Sequence, residues 1–241
     1  HIECSAMSEK YLGKKFDIHG GGMDLAATHH TNEIAQSQAC YHTSPANFWM
    51  HTNMLTVNGT RMSKSLGNGF LPEELFTGNH PLLEKAYAPM TVRFFMLQTH
   101  YRSTLDFSNE ALQASEKGLK RLWDAYELLQ KFTANNEAPT DAELDAKVNK
   151  LVNEFDEFMN DDFNTAKVLA NMFEIVPVIN SMKDKLIPVT ALSEETFQFL
   201  QNRFKTWLED ILGLKGVSEA DNSKLQGVMQ LLIDIRKEAR G

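Results

Sequence analysis

The stretch Phe16 to Gln36, FDIHGGGMDLAATHHTNEIAQ, decides how the rest of the chain is read. In it a short β-prone run from Lys15 to His19 gives way to three glycines, an acidic residue, a histidine pair and a helix start. Gly20, Gly21 and Gly22 carry no Cβ just after the expected strand, so the backbone there is free to take positive φ and to approach a ligand such as a nucleotide. Asp24 falls where strand passes into helix, and in open α/β sheets ligands bind at the carboxyl ends of strands. Thr28 or Thr31 can cap a helix running to about Ala39, in which His29 and Glu33 stand four apart on one face. An imidazole beside a carboxylate is half of a metal site. Taken singly, a glycine triplet is more often a plain turn, and a His/Glu pair at this spacing is more often solvated. Their concentration in one short segment is what marks it.

A second signal follows at Arg61-Met62-Ser63-Lys64-Ser65-Leu66-Gly67-Asn68, just after Asn58-Gly59. Lys64, between two serines, is a cation suited to follow the charge that develops on a polyphosphate during group transfer, although a basic Ser/Gly loop is commonly a surface turn. The RMSKS run resembles the KMSKS signature of class I aminoacyl-tRNA synthetases. Arg61 replaces its first lysine, keeping the charge but not the geometry. HIECSAM at the start, FDIHGGGMDL, HHTNEIAQS, FWMHTNML and RMSKSLGN, in this order and spacing, resemble the cysteinyl-tRNA synthetase family along nearly the whole chain.

The resemblance implies that Cys4, His29 and Glu33 are zinc ligands, whereas Cys4 by position alone reads as a small buried hydrophobe beside the sheet. The family's fourth ligand, a cysteine near the N-terminus, has no match, and Cys40 is not its obvious substitute. The resemblance further implies that His19, with His30 nearby, lines the pocket for the amino acid or adenylate, and that Asp24 reaches the adenosine ribose. Gly21 and its neighbours would admit ATP, and Lys64 would offset phosphate charge. Zinc prefers thiolate, so a metal that takes the substrate sulfur separates cysteine from serine without editing. The implied reaction joins L-cysteine and ATP into an adenylate and then charges tRNA(Cys), by positioning and charge stabilisation with no protein nucleophile. Where the family often has an aromatic-Pro before the His pair and Glu after it, this chain has Ala27-Thr28 and Thr31, which alters the helix entry but not the ligand positions.

With 241 residues, 42% hydrophobic and 23% charged, the chain can bury a core and form one or two domains. A net charge of −8 excludes a generally basic nucleic-acid binder, so any RNA contact needs a local cationic face. Two cysteines make no disulfide framework, and the expected compartment is the reducing cytoplasm. No apolar run reaches the ~18 residues of a membrane span. The expected fold is α/β plus all-α. The C-terminal part of a Rossmann-like class I catalytic domain would occupy 1–104, with a linker near Tyr101-Arg102-Ser103, and a helical bundle on the anticodon side would follow at 105–241.

Asn47 to Val57 reads as a buried strand feeding the Lys64 loop, and Phe70 to Gly78 as a turn and short helix. Leu82 to His100 reads as an amphipathic helix that Pro89 opens or kinks. Helices follow at about 108–133, 141–158, 164–185, 193–212 and 221–239. Asp161-Asp162-Phe163-Asn164-Thr165-Ala166 resembles the hallmark of the helical domain shared by the cysteinyl and arginyl enzymes, though its Asp and Asn read more simply as helix caps. The opening at His1 within a motif suggests a fragment without the N-terminal half and the extreme C-terminus, expected to be a monomer and inactive alone. Two other functions stay open: a ligase joining cysteine to an amino sugar, and a noncatalytic RNA-binding or scaffold module.

Overall fold

The computed structural model of the chain describes residues 1–63, 65–133 and 138–216. Lys64, the separator Asn135-Asn136 and the helix expected at 221–239 lie outside the described residues. Two compact units are present, His1–Gly69 with Thr99–Phe107, and Phe70–Gln98 with the described residues from Ser108 onward. Residues 70–98 thus pack within the helical unit, although they precede the boundary expected from sequence.

In the first unit, α1 (Ile2–Leu12) leads through Gly13, at φ 91, into β1 (Phe16–Gly22). The expected short segment around Cys4 is therefore part of an eleven-residue helix. From β1 the chain enters α2 (Met23–Leu25), one π-helical turn (Ala26–His30) and α3 (Thr31–Tyr41) without a break. It then returns in β2 (Ala46–Thr52), which pairs parallel with β1 and sets His19 opposite Trp49 and Gly21 opposite His51. This βαβ arrangement gathers the carboxyl ends of both strands at the start of the connecting helix.

Two local expectations are corrected here. The three glycines belong to β1 rather than to a turn after it, and none takes positive φ. Neither Thr28 nor Thr31 caps α3, because the helix is continuous through the π turn and Thr31 Oγ1 donates back to the Ala26 carbonyl at 2.9 Å.

The run from 47 to 57 is two strands rather than one buried strand, β2 and β3 (Leu55–Val57), and Phe48 is 67% exposed. β1 and β2 form a sheet of only two strands among the described residues, so one face of the Ile18–Phe48 pair meets solvent. A second sheet has the order β4-β3-β5, with β4 (Thr60–Arg61) antiparallel and β5 (Leu105–Phe107) parallel to β3. Asn58 and Gly59, at φ 49 and 74, make the tight turn between β3 and β4. Asp106 Oδ1 accepts from the Gly59 N–H at 2.8 Å and from the Thr56 hydroxyl, tying that turn to β5.

In the second unit, α4 (Pro72–Thr77) is followed by α5 (Pro89–Leu97). Pro89 opens α5 at a position where its missing N–H has no helical partner to lose, so residues 82–88 stay outside the helix. The bundle is α6 (Asn109–Lys131), α7 (Ala142–Asn160), α8 (Thr165–Lys183) and α9 (Glu194–Lys205). Ser108, Asp141, Asn164 and Ser193 each cap one of these helices by accepting a backbone N–H three residues on. Their apolar faces close over Leu122, Phe155, Val168, Ile175 and Phe204, all fully buried. In the 161–166 segment, Asn164 caps α8 and Thr165 Oγ1 donates to the Leu97 carbonyl at 2.8 Å, so this stretch serves as a helix junction. Among the described residues no helix is long and apolar enough to cross a membrane.

Asp145 of α7 ties down the start of α9. It accepts the Ser193 N–H at 2.7 Å and the hydroxyls of Ser193 and Thr196, each at 3.1 Å. Asp145→Ala should therefore destabilise the helical unit by about 2 kcal/mol, lowering its melting temperature by about 5 °C in a circular-dichroism melt. Asp145→Asn, which keeps one acceptor oxygen, should lose about half as much. An unchanged melt in the alanine variant would show that water replaces these contacts without cost.

Candidate active site

Glu33 is the centre of the site. It is 2% exposed, and a buried carboxylate is costly unless cations or donors surround it. His19, in the middle of β1, brings Nε2 to 2.7 Å from Glu33 Oε2. The π turn then delivers two adjacent histidines to the same region, as such turns often do at functional sites. His29 Nε2 lies 2.9 Å from Glu33 Oε1, yet the two are not aligned as a hydrogen bond, and that buried oxygen has no other partner. From α1, Cys4 completes the group: the ligand atoms of Cys4, His29 and Glu33 all lie within 4.8 Å of one another.

This donor set passes a simple test for a metal. A thiol, an imidazole and a carboxylate converge, and Glu33 Oε1, buried without a hydrogen bond, faces another ligand-type atom at 2.9 Å, as two ligands of one cation would. The mixture of sulfur, nitrogen and oxygen suits borderline-soft zinc better than magnesium or calcium. Cys40, exposed on the last turn of α3, joins neither metal-type group found among the described residues.

The second such group is His19, His30 and Glu33, which shares the carboxylate. His30 is 3% exposed, and its Nδ1 lies 2.8 Å from His51 Nε2. The Trp49 ring closes over both histidines, 4.6 Å from His19 and 5.0 Å from His30. Burial, and next the neighbouring His19 ring, depress the His30 pKa below the ordinary imidazole value against an opposite pull from Glu33, so His30 is neutral at pH 7. Sequence reasoning missed Trp49 and His51 as site residues. Their signal was the two-residue spacing on β2, which puts both side chains on one face opposite His19 and Gly21.

The glycines act through space rather than through φ. A Cβ on Gly21 would stand 2.7 Å from His30 Cε1 and 2.9 Å from its Nε2, so only glycine lets the ring lie against the strand. A Cβ on Gly22 would run into Asp24 Oδ1. Asp24 itself is exposed at the start of α2, outside the Glu33 group. Of the residues singled out in sequence, the structure thus gathers Cys4, His19, Gly21, His29 and Glu33, leaves Asp24 apart, and describes only the flanks of Lys64.

Known proteins match along this whole layout. The family model for the tRNA synthetases class I (C) catalytic domain covers residues 1–117, and that for the DALR domain covers 154–215. A cysteine–tRNA ligase of Cytophaga hutchinsonii is 46% identical over 241 residues, and one of Parabacteroides distasonis 47% over 243; both alignments cover 100% of this chain and 48% of the relative. The chain thus spans about half the length of the curated relatives it matches. A LeuRS of Agrobacterium radiobacter, solved in a ternary complex with tRNA and LeuAMS, matches 83% of this chain and 28% of its own at a TM-score of 0.54 and 17% identity, a likeness of fold alone. Both domain models are matched in order, and over its whole length the chain is similar to about half of a class I cysteine–tRNA ligase.

Proposed function

We propose that this chain carries the cysteine-recognising part of an enzyme that activates L-cysteine with ATP and transfers it to tRNA(Cys). The observation that carries the reading is the buried Glu33, shared between a Cys4–His29 group of zinc-type ligands and a His19–His30–Trp49 pocket wall. Cys4, His29 and Glu33 would hold Zn2+, whose preference for thiolate over hydroxyl supplies the discrimination against serine. His19 pairs through Nε2 with Glu33, which holds its ring in place and leaves Nδ1 to meet the substrate's polar groups. Gly21 seats the His30 ring against the strand beside which the nucleotide would bind, and Asp24, being exposed, is available to accept from ribose hydroxyls. Lys64 offsets charge on the phosphates. Residues 1–104 serve catalysis and 105–241 the tRNA side, in a monomeric cytoplasmic protein whose RNA contacts rest on local cationic patches, since the net charge is −8.

The test is cysteine-dependent exchange between ATP and pyrophosphate by a polypeptide of the relatives' full length that contains this chain. Exchange should occur with cysteine and not serine, disappear on chelation and return with zinc, with tRNA rather than an amino sugar as the acceptor. Transfer to an amino sugar would make the protein a cysteine–sugar ligase. Bound tRNA without any exchange would leave only a noncatalytic RNA-binding module.

A further inference from the structure

Among the described residues, the Asn68 side chain ties together the two ends of the loop from Arg61 to Asn68. Asn68 Oδ1 accepts the backbone N–H of Ser63 at 2.8 Å, and Asn68 Nδ2 donates to the Arg61 carbonyl at 3.1 Å. Both functions of the amide are used, so it pairs with the backbone beyond β4 much as a peptide group of an adjoining strand would. Inside this clasp, Ser63 Oγ accepts the Leu66 N–H at 3.3 Å and lies 3.2 Å from Ser65 Oγ. Gly67 turns the chain back at φ 63, with open space where a Cβ would be. The hairpin below is anchored separately, through Asp106 and the Gly59 N–H. Loss of the Asn68 contacts therefore leaves β3, β4 and β5 with their own ties.

We infer that Asn68 is a positioning residue for the nucleotide-activating step, acting through Arg61 and Ser63 to fix the span of the loop on either side of Lys64. This rests on the proposed role of Lys64 in offsetting phosphate charge. Drawing residues 61, 63 and 68 together fixes the two ends of the loop in advance of the reaction. A charge stabilises a developing anion best when its support is organised beforehand.

Asn68→Ala and Asn68→Asp test this, the latter keeping the acceptor for Ser63 and losing the donor to Arg61. Each is placed in a polypeptide of the relatives' full length containing this chain, and read by cysteine-dependent exchange and by limited trypsin cleavage after Arg61. Asn68→Ala should lower kcat roughly tenfold, with KM for cysteine changed less than about twofold, and Asn68→Asp should fall between it and the unsubstituted protein. Cleavage after Arg61 should quicken in the alanine variant while the melting temperature holds. An unchanged kcat, or a fall in exchange carried by KM for cysteine, overturns the inference. Should the unsubstituted protein support no exchange, the functional reading fails by itself, and an unchanged cleavage rate at Arg61 would then overturn the clasp independently.

Discussion

Glu33→Gln should weaken zinc binding by this chain at least about 100-fold, a larger loss than the 10–100-fold typical of residues that merely support metal ligands. The reason lies in how the two carboxylate oxygens are used. Oε2 accepts from His19 at 2.7 Å, and Oε1 faces His29 at 2.9 Å with no hydrogen bond of its own. Glutamine removes the negative charge and turns one oxygen into an amide nitrogen that cannot ligate a cation. If the carbonyl stays with His19, the NH2 group faces His29 and the metal loses a ligand. If the amide flips, the His19 contact is lost instead.

The fold should survive the change, because taking a charge out of a buried site relieves desolvation and the amide fills the same volume. Competition against a chromophoric chelator measures the affinity, and a thermal melt of the same sample reports the fold. Zinc bound as tightly by the Glu33→Gln variant as by the unsubstituted chain would remove Glu33 from the ligand set and leave it as a partner for His19 alone.

How far such a site can be read in advance depends on whether its contacts are local. His29 and Glu33 are four apart on helical sequence, so their pairing was visible from spacing. Cys4 reaches them only because α1 packs beside α3, and nothing in the local pattern of α1 announces a helix. No residue of α1 is buried, and Ile2, Met7, Tyr11 and Leu12 are all exposed, so the usual apolar stripe is missing. Its proposed place among the ligands is legible in the sequence through family resemblance alone. The triple glycine reads locally as a turn, and it is a strand because of pairing with β2 some thirty residues later. In the helical unit the opposite holds. Asn109–Lys131 lies within two residues of its expected bounds because an apolar stripe and the Ser108 cap are both local signals. Pro89 was legible as a break, and its place at the opening of α5 followed once residues 82–88 found no helical partners.

Gly21→Ala carries the second large effect, and it separates what glycine does here from what glycine usually does. Gly21 is not at positive φ, so alanine suits the strand backbone and by itself would stabilise it by about 0.5–1 kcal/mol. What alanine cannot avoid is the collision of its Cβ with His30 at 2.7 and 2.9 Å and with Leu25 Cδ1 at 3.2 Å. The imidazole has little freedom to withdraw, being buried, within 2.8 Å of His51 Nε2 and packed against Trp49.

Overpacking of this kind costs about 1–3 kcal/mol, so the net loss of stability should be about 1 kcal/mol. The loss of exchange should be far greater, roughly 100-fold, since a pocket wall displaced by a fraction of an ångström misaligns whatever reacts against it. Gly20→Ala supplies the control on the same strand. Its Cβ would meet only the Met50 carbonyl oxygen, at 3.6 Å, an ordinary contact. The two variants, compared by exchange rate and by the imidazole proton resonances of His30 and His51, should therefore diverge: Gly20→Ala close to the unsubstituted protein, and Gly21→Ala with the His30–His51 contact broken. Equal behaviour of the two would mean that the His30 ring is not held against β1, and that the missing side chain at Gly21 serves the sheet rather than the site.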